Sequence, residues 1–412
     1  MINIRRVVAV AVGMWSSFSF GMNMLTPRDT LVNPLYDTAY KWHALAFIEA
    51  GLDSKSYNED GNGVDALQIW DCEQNALAML RGALPDSPID RKNGEIEAIP
   101  DLEADPCAGI FSVCGDLKMD AAVTLVGRYA PKRDWFITLF MPFYAMRLTD
   151  VTWCDKTTNE ELKEDLTDCL RKNTCELGCL DICGWTRRGP GDLACMIDWL
   201  RDFPQMKEYL QNVRINARVG LTIPTGLKCD EDKIMAIPFG NDGCCSVPFG
   251  GGLTVMFRPC IYLGVDVQLT HTFGNARLRR IKTHEDQTEL LLLNKARAYR
   301  DYGLTQRFNL RVGAHRFWKG TSARLGYQYL KHGEDSLALC STEFSQQVAN
   351  TSKQLEDWTM HQLVAYLEND FSSVLSPDSS VQPRLALFVR APFNGKRSAM
   401  STNLGLMFSV DF

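Results

Sequence analysis

No run of eighteen apolar residues occurs in this chain of 412, so no helix of it is suited to cross a bilayer. Basic residues do not outnumber acidic ones. The net charge is −6, which argues against a nucleic-acid partner. Histidine is sparse, at six residues, and no serine stands in a nucleophile motif. The pairings a hydrolase would have to use are His271 with Asp266 or Thr272, and His332 with Ser322. Each reads better as an ordinary strand or rim residue, and the chain is read as a non-enzyme. Gly250-Gly251-Gly252 lacks the Lys-Ser/Thr of a phosphate loop and reads as the start of a strand. Internal repeats and low-complexity tracts are missing too, and no cofactor or metal site is implied.

What the chain has in quantity is two-residue alternation. Val213, Ile215, Ala217, Val219, Leu221 and Ile223 alternate with Arg214, Asn216, Arg218, Gly220 and Thr222. Ile261 to Thr270 and Leu304 to Gly313 repeat the pattern, as does Leu385 to Arg390. Many runs reach ten residues, long for soluble strands but suited to tilted strands in a membrane. Aromatic residues near strand ends (Tyr129, Trp135, Trp153, Trp199, Tyr302, Phe317, Trp318, Tyr327, Tyr329) suit a belt at the lipid boundary. A membrane-crossing chain without a spanning helix requires a closed barrel, because lipid leaves open strand edges unsatisfied.

The last residues carry the most information. Leu404, Leu406, Phe408, Val410 and Phe412 alternate with Gly405, Met407, Ser409 and Asp411. An apolar face ending on an aromatic resembles the closing strand of bacterial outer-membrane β-barrels. There such an ending is the signal read by the barrel-insertion machinery, a role the resemblance gives to Phe412. The start agrees: Arg5 and Arg6 precede an apolar run from Val7 to Trp15, then small residues, in the manner of a signal peptide. The expected organisation is a signal peptide at 1–20, a periplasmic segment at 21–40 and an outer-membrane barrel at 41–412.

The fold expected is an all-β, transmembrane, antiparallel barrel of about twelve strands, with ten or fourteen as alternatives. The strands fall at 42–52, 115–130, 134–152, 191–203, 210–223, 250–258, 260–273, 299–316, 320–332, 357–371, 382–391 and 399–412. The connections then alternate in length. Those at 53–114, 153–190, 224–249, 274–298 and 333–356 are long and lie outside the cell, and 153–190 is rich in cysteine. A hidden pair near 67–70 and 76–80 would raise the count. Short helices are expected at 160–171 and 288–298.

Gly189-Pro190-Gly191-Asp192-Leu193 opens a strand, and the next strand ends Pro224-Thr225-Gly226. This pair of motifs resembles outer-membrane channels for hydrophobic compounds, the phenol meta-pathway group among them. The resemblance covers about forty residues plus the last strand, and the cysteines depart from it. There are fourteen. In an exported chain they read as disulfides, with Cys154, Cys169, Cys175, Cys179 and Cys183 the closest set. The spacing of Cys175, Cys179 and Cys183 would stack thiols on one helix face.

By parity, Lys118, Arg128, Arg214, Arg218, Asp266, Arg307, Arg311, Arg324, Arg384 and Arg390 line the lumen. Basic groups there outnumber acids, which favours anions in a confined aqueous space, unless the charges pair across strands and fill the interior. The functional expectation is a porin-like channel passing small solutes, anionic or hydrophobic. The alternatives are a disulfide-stiffened surface structural or adhesive protein and, further off, an outer-membrane hydrolase. The partners implied are outer-membrane lipid and lipopolysaccharide, the insertion machinery and small solutes. Sequence leaves cargo, oligomeric state and disulfide map open.

Overall fold

A computed structural model of the chain describes residues 25, 31–33, 35, 40–99, 102, 105–205, 207–257, 260–371 and 381–412. The expected signal peptide at 1–20 lies outside the described residues. Among those residues, twelve antiparallel strands form one barrel wall. They are β1 (Trp42–Tyr57), β2 (Ile110–Lys132), β3 (Trp135–Asp155), β4 (Leu193–Pro204), β5 (Leu210–Ile223) and β6 (Ser246–Phe257). The second half comprises β7 (Ile261–Thr272), β8 (Thr305–Trp318), β9 (Thr321–His332), β10 (Trp358–Asp370), β11 (Gln382–Lys396) and β12 (Ser398–Asp411). Each pairs with its neighbours in sequence.

β1 closes the ring. It pairs with β12 from His43 to Tyr57 and with β2 from Trp42 to Glu49, so the seam leaves no edge unsatisfied. Phe412 ends the seam, its amide and carbonyl both bonded to Trp42 at 2.9 Å. The wall is thus the closed twelve-strand barrel that alternation predicts. Its boundaries differ in places. β6 begins at Ser246, and residues 299–301 leave β8 for a separate three-stranded sheet of Asn275–Arg280, Lys295–Asp301 and Ser336–Leu339. The segments near 67–70 and 76–80 contain single 3-10 turns, Ala66–Gln68 and Ala78–Leu80, and add no strand pair to the wall.

The outer face carries Ile137, Leu139, Met141, Ile215, Val219, Leu263, Leu367, Leu387 and Leu406, all exposed. On a closed barrel such a band is matched by hydrocarbon rather than water. Trp42, Trp135, Tyr209, Trp318 and Phe412 are exposed around the end with the short turns, where an interfacial belt belongs. Two residues expected in a belt are elsewhere. Trp153 donates its indole N–H to the Ile182 carbonyl at 3.0 Å, and Tyr302 is buried among the long loops.

One wall position reverses the expected facing. Lys118 pairs with Arg147 and Met119 with Met146, but Ala121 pairs with Ala145, so Asp120 is an extra residue in β2. This bulge flips the side-chain parity. Leu117 and Met119 point inward before it, Ala122, Val126 and Arg128 after it. Lys118 therefore faces outward, as does Asp120, whose carboxylate meets Arg147 at 3.1 Å.

The long connections pack into a cap over one end. Leu67, Ile69, Met79 and Leu80 from 58–109 share a core with Leu170 and Ile182, Ile234 and Phe239, and Leu290, Leu291 and Leu293. Helix α1 (Pro88–Glu97) starts on Ser87, which accepts from the Asp90 amide, and α2 (Glu160–Glu176) on Asn159, which accepts from Glu161. The second helix expected, at 288–298, does not form. Leu290 to Leu293 are buried on every side, which an amphipathic surface helix would not allow, and 295–301 is strand. Burying each leucine stabilises the cap by about 1.5–3 kcal/mol relative to exposure.

Arg280 stitches the cap. Its guanidinium donates to Gly178 at 2.8 Å, Cys179 at 3.1 Å and Leu292 at 3.0 Å, and to the Glu231 carbonyl, joining three loops. Arg280→Ala should cost the cap about 2–3 kcal/mol while leaving the wall intact. Limited proteolysis should then cut within 156–192 and 224–245 faster, with the heat-dependent gel shift of the barrel unchanged.

Candidate transport lumen

Inside the wall, alternation brings charged and polar side chains together. The inward positions include Arg128, Arg214, Arg218, Asp266, Arg307, Arg311, Arg324, Arg384 and Arg390. Of the ten residues expected to line the lumen, Lys118 is the one on the outer face, for the bulge described above. Most of the arginines are held by partners. Arg214 meets both oxygens of Asp202, each at 2.8 Å. Arg218 is paired with Asp266, and Arg390 with Glu49 at 3.1 Å. Arg384 donates to Asp411 at 2.5 Å, and Asp411 contacts His43 Nδ1 at 2.7 Å across the β12–β1 seam. Arg128 lies over the Phe136 ring at 3.9 Å and Arg324 over Tyr366 at 4.2 Å.

The acidic side is larger than the sequence reading allows. Glu49, Asp202 and Glu368 also face inward. Glu49 is in phase with His43, Leu45 and Phe47, so the alternation of β1 already carried the signal. The cross-strand pairing described as the alternative to a freely positive wall is therefore extensive.

Within the expected periplasmic segment, Leu25, Leu31–Asn33 and Leu35 lie inside the wall rather than beyond it. Leu31 and Val32 are buried in a lumen cluster with Phe47, Phe140, Met196, Phe388 and Met407. Arg324 donates to the Asn33 carbonyl at 2.8 Å and Arg384 to the Leu35 carbonyl at 3.2 Å. Leu25 lies higher, in the core shared with the cap. Composition hid this, because the anchors are main-chain carbonyls.

Among the described residues, cavities lie in succession inside the wall. One of about 190 Å³ lies under the cap between Leu25, Lys282, Glu289, Leu290 and the wall residues Thr222 and Gln268. A second of about 100 Å³ is lined by Leu25, Asn33, Glu49, Gln362 and Arg390. The third, about 80 Å³, is lined by Asn33, Leu35, Arg128, Arg214, Arg218 and Arg311.

The two motifs singled out in the sequence meet at the cap's edge. Asp192 accepts from the Gly226 amide at 2.9 Å and from the Asn241 amide at 2.5 Å. The Thr225 hydroxyl donates to the Gly191 carbonyl and accepts from the Leu193 amide, both at 2.9 Å. A Cβ on Gly240 would lie 2.3 Å from the Asp192 carboxylate, so no larger residue fits there. These bonds clamp 224–245 against the start of β4.

The cysteines are unbridged. All fourteen are free thiols, including the candidates Cys154, Cys169, Cys175, Cys179 and Cys183. Cys169 and Cys175 are six positions apart on α2 and point to different sides. The helix ends at Glu176 and Cys179 has φ +48°, so the three-thiol face expected for 175, 179 and 183 does not form. Among the described residues, no group of three or more His, Cys, Asp and Glu is placed to hold a metal ion. The hydrolase pairings do not assemble either. His271 faces outward against Phe273 while Asp266 faces inward. His332 contacts Thr305 at 2.7 Å rather than Ser322, whose hydroxyl accepts from the Arg316 amide and contacts His315.

No family model and no curated protein matches the chain. Solved structures with a similar course include an outer membrane channel from Pseudomonas putida F1, at 13% identity, TM-score 0.47, covering 94% of this chain and 100% of that one. The CymD monoaromatic hydrocarbon channel aligns at 9% identity, TM-score 0.31, over 96% and 95%. LpxR from Salmonella typhimurium aligns at 8% identity, TM-score 0.29, over 90% and 100%.

Glu289 makes the cap sensitive to pH. Burial pushes its carboxyl up to about 7, against hydrogen bonds from the Ser352 hydroxyl at 2.6 Å and the Lys353 amide at 2.7 Å. Asp71 nearby raises it further and Lys282 lowers it. Because the folded value exceeds the ordinary 4.5, the stabilisation is full below 4.5 and is lost as pH rises through about 7. Proteolysis of the cap should therefore accelerate from pH 6 to pH 8, by roughly the fold-change of about 1 kcal/mol. Glu289→Gln should flatten that rise; an unchanged pH profile would remove Glu289 as its cause.

Proposed function

We propose that the protein is a bacterial outer-membrane channel for small solutes, held closed by its own N-terminal segment and cap. The supporting observation is how the cavities are divided. The first two share Leu25, and the second and third share Asn33. Leu25 and Asn33 belong to the N-terminal segment, while the wall residues Phe140 and Gln268 are also shared between cavities, so displacement of the segment would widen the passage between chambers. At its described residues Asn33 and Leu35 the segment is fastened by arginine bonds to main-chain carbonyls, which water can replace at modest cost (about 0.5–1.5 kcal/mol net for a typical bond). The apolar band suits a wall in lipid, and short turns at one end and long loops at the other suit a periplasmic and an external end. Its lining is mixed, with Leu290 and Met360 beside Lys282 and Arg390. This suits small solutes having both an apolar and a charged part.

The surface-adhesin alternative loses its disulfide stiffening. The cap is instead held by Arg280, Asp192 and its apolar core.

Purified, folded protein in planar bilayers should show small, infrequent conductance. Arg324→Ala with Arg384→Ala should raise open time or conductance by several-fold. A silent wild type together with a silent double variant, both shown to be folded by heat-dependent gel mobility, would overturn the channel.

A further inference from the structure

The lowest chamber has a composition that the channel reading does not require. Four guanidinium groups border about 80 Å³ of space inside the barrel: Arg128, Arg214, Arg218 and Arg311. Asp198 is the one carboxylate on that lining, and it takes a hydrogen bond from Thr138 at 3.0 Å. Arg214 is matched by Asp202 and Arg218 by Asp266. Arg311 differs. Its terminal nitrogen donates to the Thr254 hydroxyl at 2.9 Å, and among the described residues no carboxylate lies at ion-pair distance from it. The Nε atoms of Arg311 and Arg218 are buried without an acceptor. Such N–H groups are costly but recur at several buried arginines elsewhere in the molecule, so what sets this chamber apart is four guanidinium groups enclosed with one carboxylate on the lining.

The wall is shaped to seat these groups. Gly264 faces the lumen beside Arg311, and a Cβ there would lie 2.6 Å from its Nε and 3.0 Å from its Cγ. Gly252 does the same for Asp266, with a Cβ 2.7 Å from its carboxylate. Glycine on the inner face of β6 and β7 therefore creates the recess in which Arg311 and the Arg218–Asp266 pair lie. The glycine run that reads in sequence as a strand start has this further use. On the opposite side, Asn33 and Leu35 of the N-terminal segment line the same space.

We propose that this chamber binds one small oxyanion of the phosphate or sulfate type. Such an ion offers several acceptor oxygens at once, which planar guanidinium forks match with two parallel bonds each. The Nε–H groups of Arg311 and Arg218 supply donors that the protein itself leaves unused. The enclosed, partly desolvated setting strengthens each contact over its value in water.

The test uses the full folded barrel in detergent, with inorganic phosphate as the probe and sodium chloride at equal ionic strength as the reference. Titration calorimetry should show saturable phosphate binding, and the midpoint of the heat-induced gel shift should rise with phosphate more than with chloride. Arg311→Gln should weaken binding about tenfold or more, since it removes charge-assisted bonds. Lys118→Gln, on the outer face, should leave it unchanged. If Arg311→Gln fails to fold, Gly264→Ala displaces the same guanidinium without removing a charge and should weaken binding too. No saturable phosphate binding by the wild type, an equal effect of chloride, or undiminished binding by Arg311→Gln would each overturn the site. Bilayer conductance is read separately. A conducting protein that binds no phosphate overturns this site alone, and phosphate binding by a protein whose wild type and Arg324/Arg384 double variant are both silent overturns the channel alone.

Discussion

Closure at β1 is the constraint on which everything else rests. A strand edge in hydrocarbon leaves main-chain donors and acceptors unpaired at several kcal/mol each. β1 removes both edges by pairing with β2 on one side and β12 on the other. Closure fixes which residues face lipid and which face inward. It therefore decides that the arginines four residues apart on β5 (Arg214, Arg218) and β8 (Arg307, Arg311) are enclosed together rather than spread over a surface. Once enclosed, they need acceptors, and the carboxylates of Asp202, Asp266 and Asp411 and the carbonyls of Asn33 and Leu35 supply them.

The two ends of the lumen are closed by different means. The cap is a packed apolar core reinforced by arginines that donate to loop carbonyls, with Arg280 and Arg187 each bonded to more than one loop position. The described residues of the N-terminal segment meet the lumen through the aliphatic contacts of Leu31 and Val32 and through arginine bonds to the Asn33 and Leu35 carbonyls. A core of many buried leucines comes apart cooperatively, and the segment rather than the cap is therefore assigned the moving part.

The wall was legible because a period of two is hard to disguise. The runs through Ile215, Leu263 and Leu387 locate strands directly, and long and short connections follow from them. What failed to show in sequence has a physical reason in each case. The bulge at Asp120 depends on one unpaired residue, and the alternation on either side of it is regular. The leucine run 290–293 has helix-forming residues, but burial on all sides overrides that preference. The lodging of residues 31–33 and 35 uses main-chain carbonyls, which every residue has. The Asp192–Thr225–Gly226 contacts were signalled as motifs, yet only their positions in space show them to be one clamp. Dense cysteines in an exported chain suggested bridges, but bridging also needs geometry, and that is set by where α2 ends.

The bulge in β2 bears on how this lineage can change. A strand of this wall tolerates exchange of one residue for another far better than loss of one. Removing Asp120 would restore a regular ladder locally, yet would put one half of β2 out of phase with the other. Either Leu117 and Met119 would turn toward lipid and Lys118 toward the interior, or Arg128 would be driven into hydrocarbon. Changing the residue at that point costs at most its contact with Arg147, whereas changing the length there turns a whole stretch of strand to the wrong face.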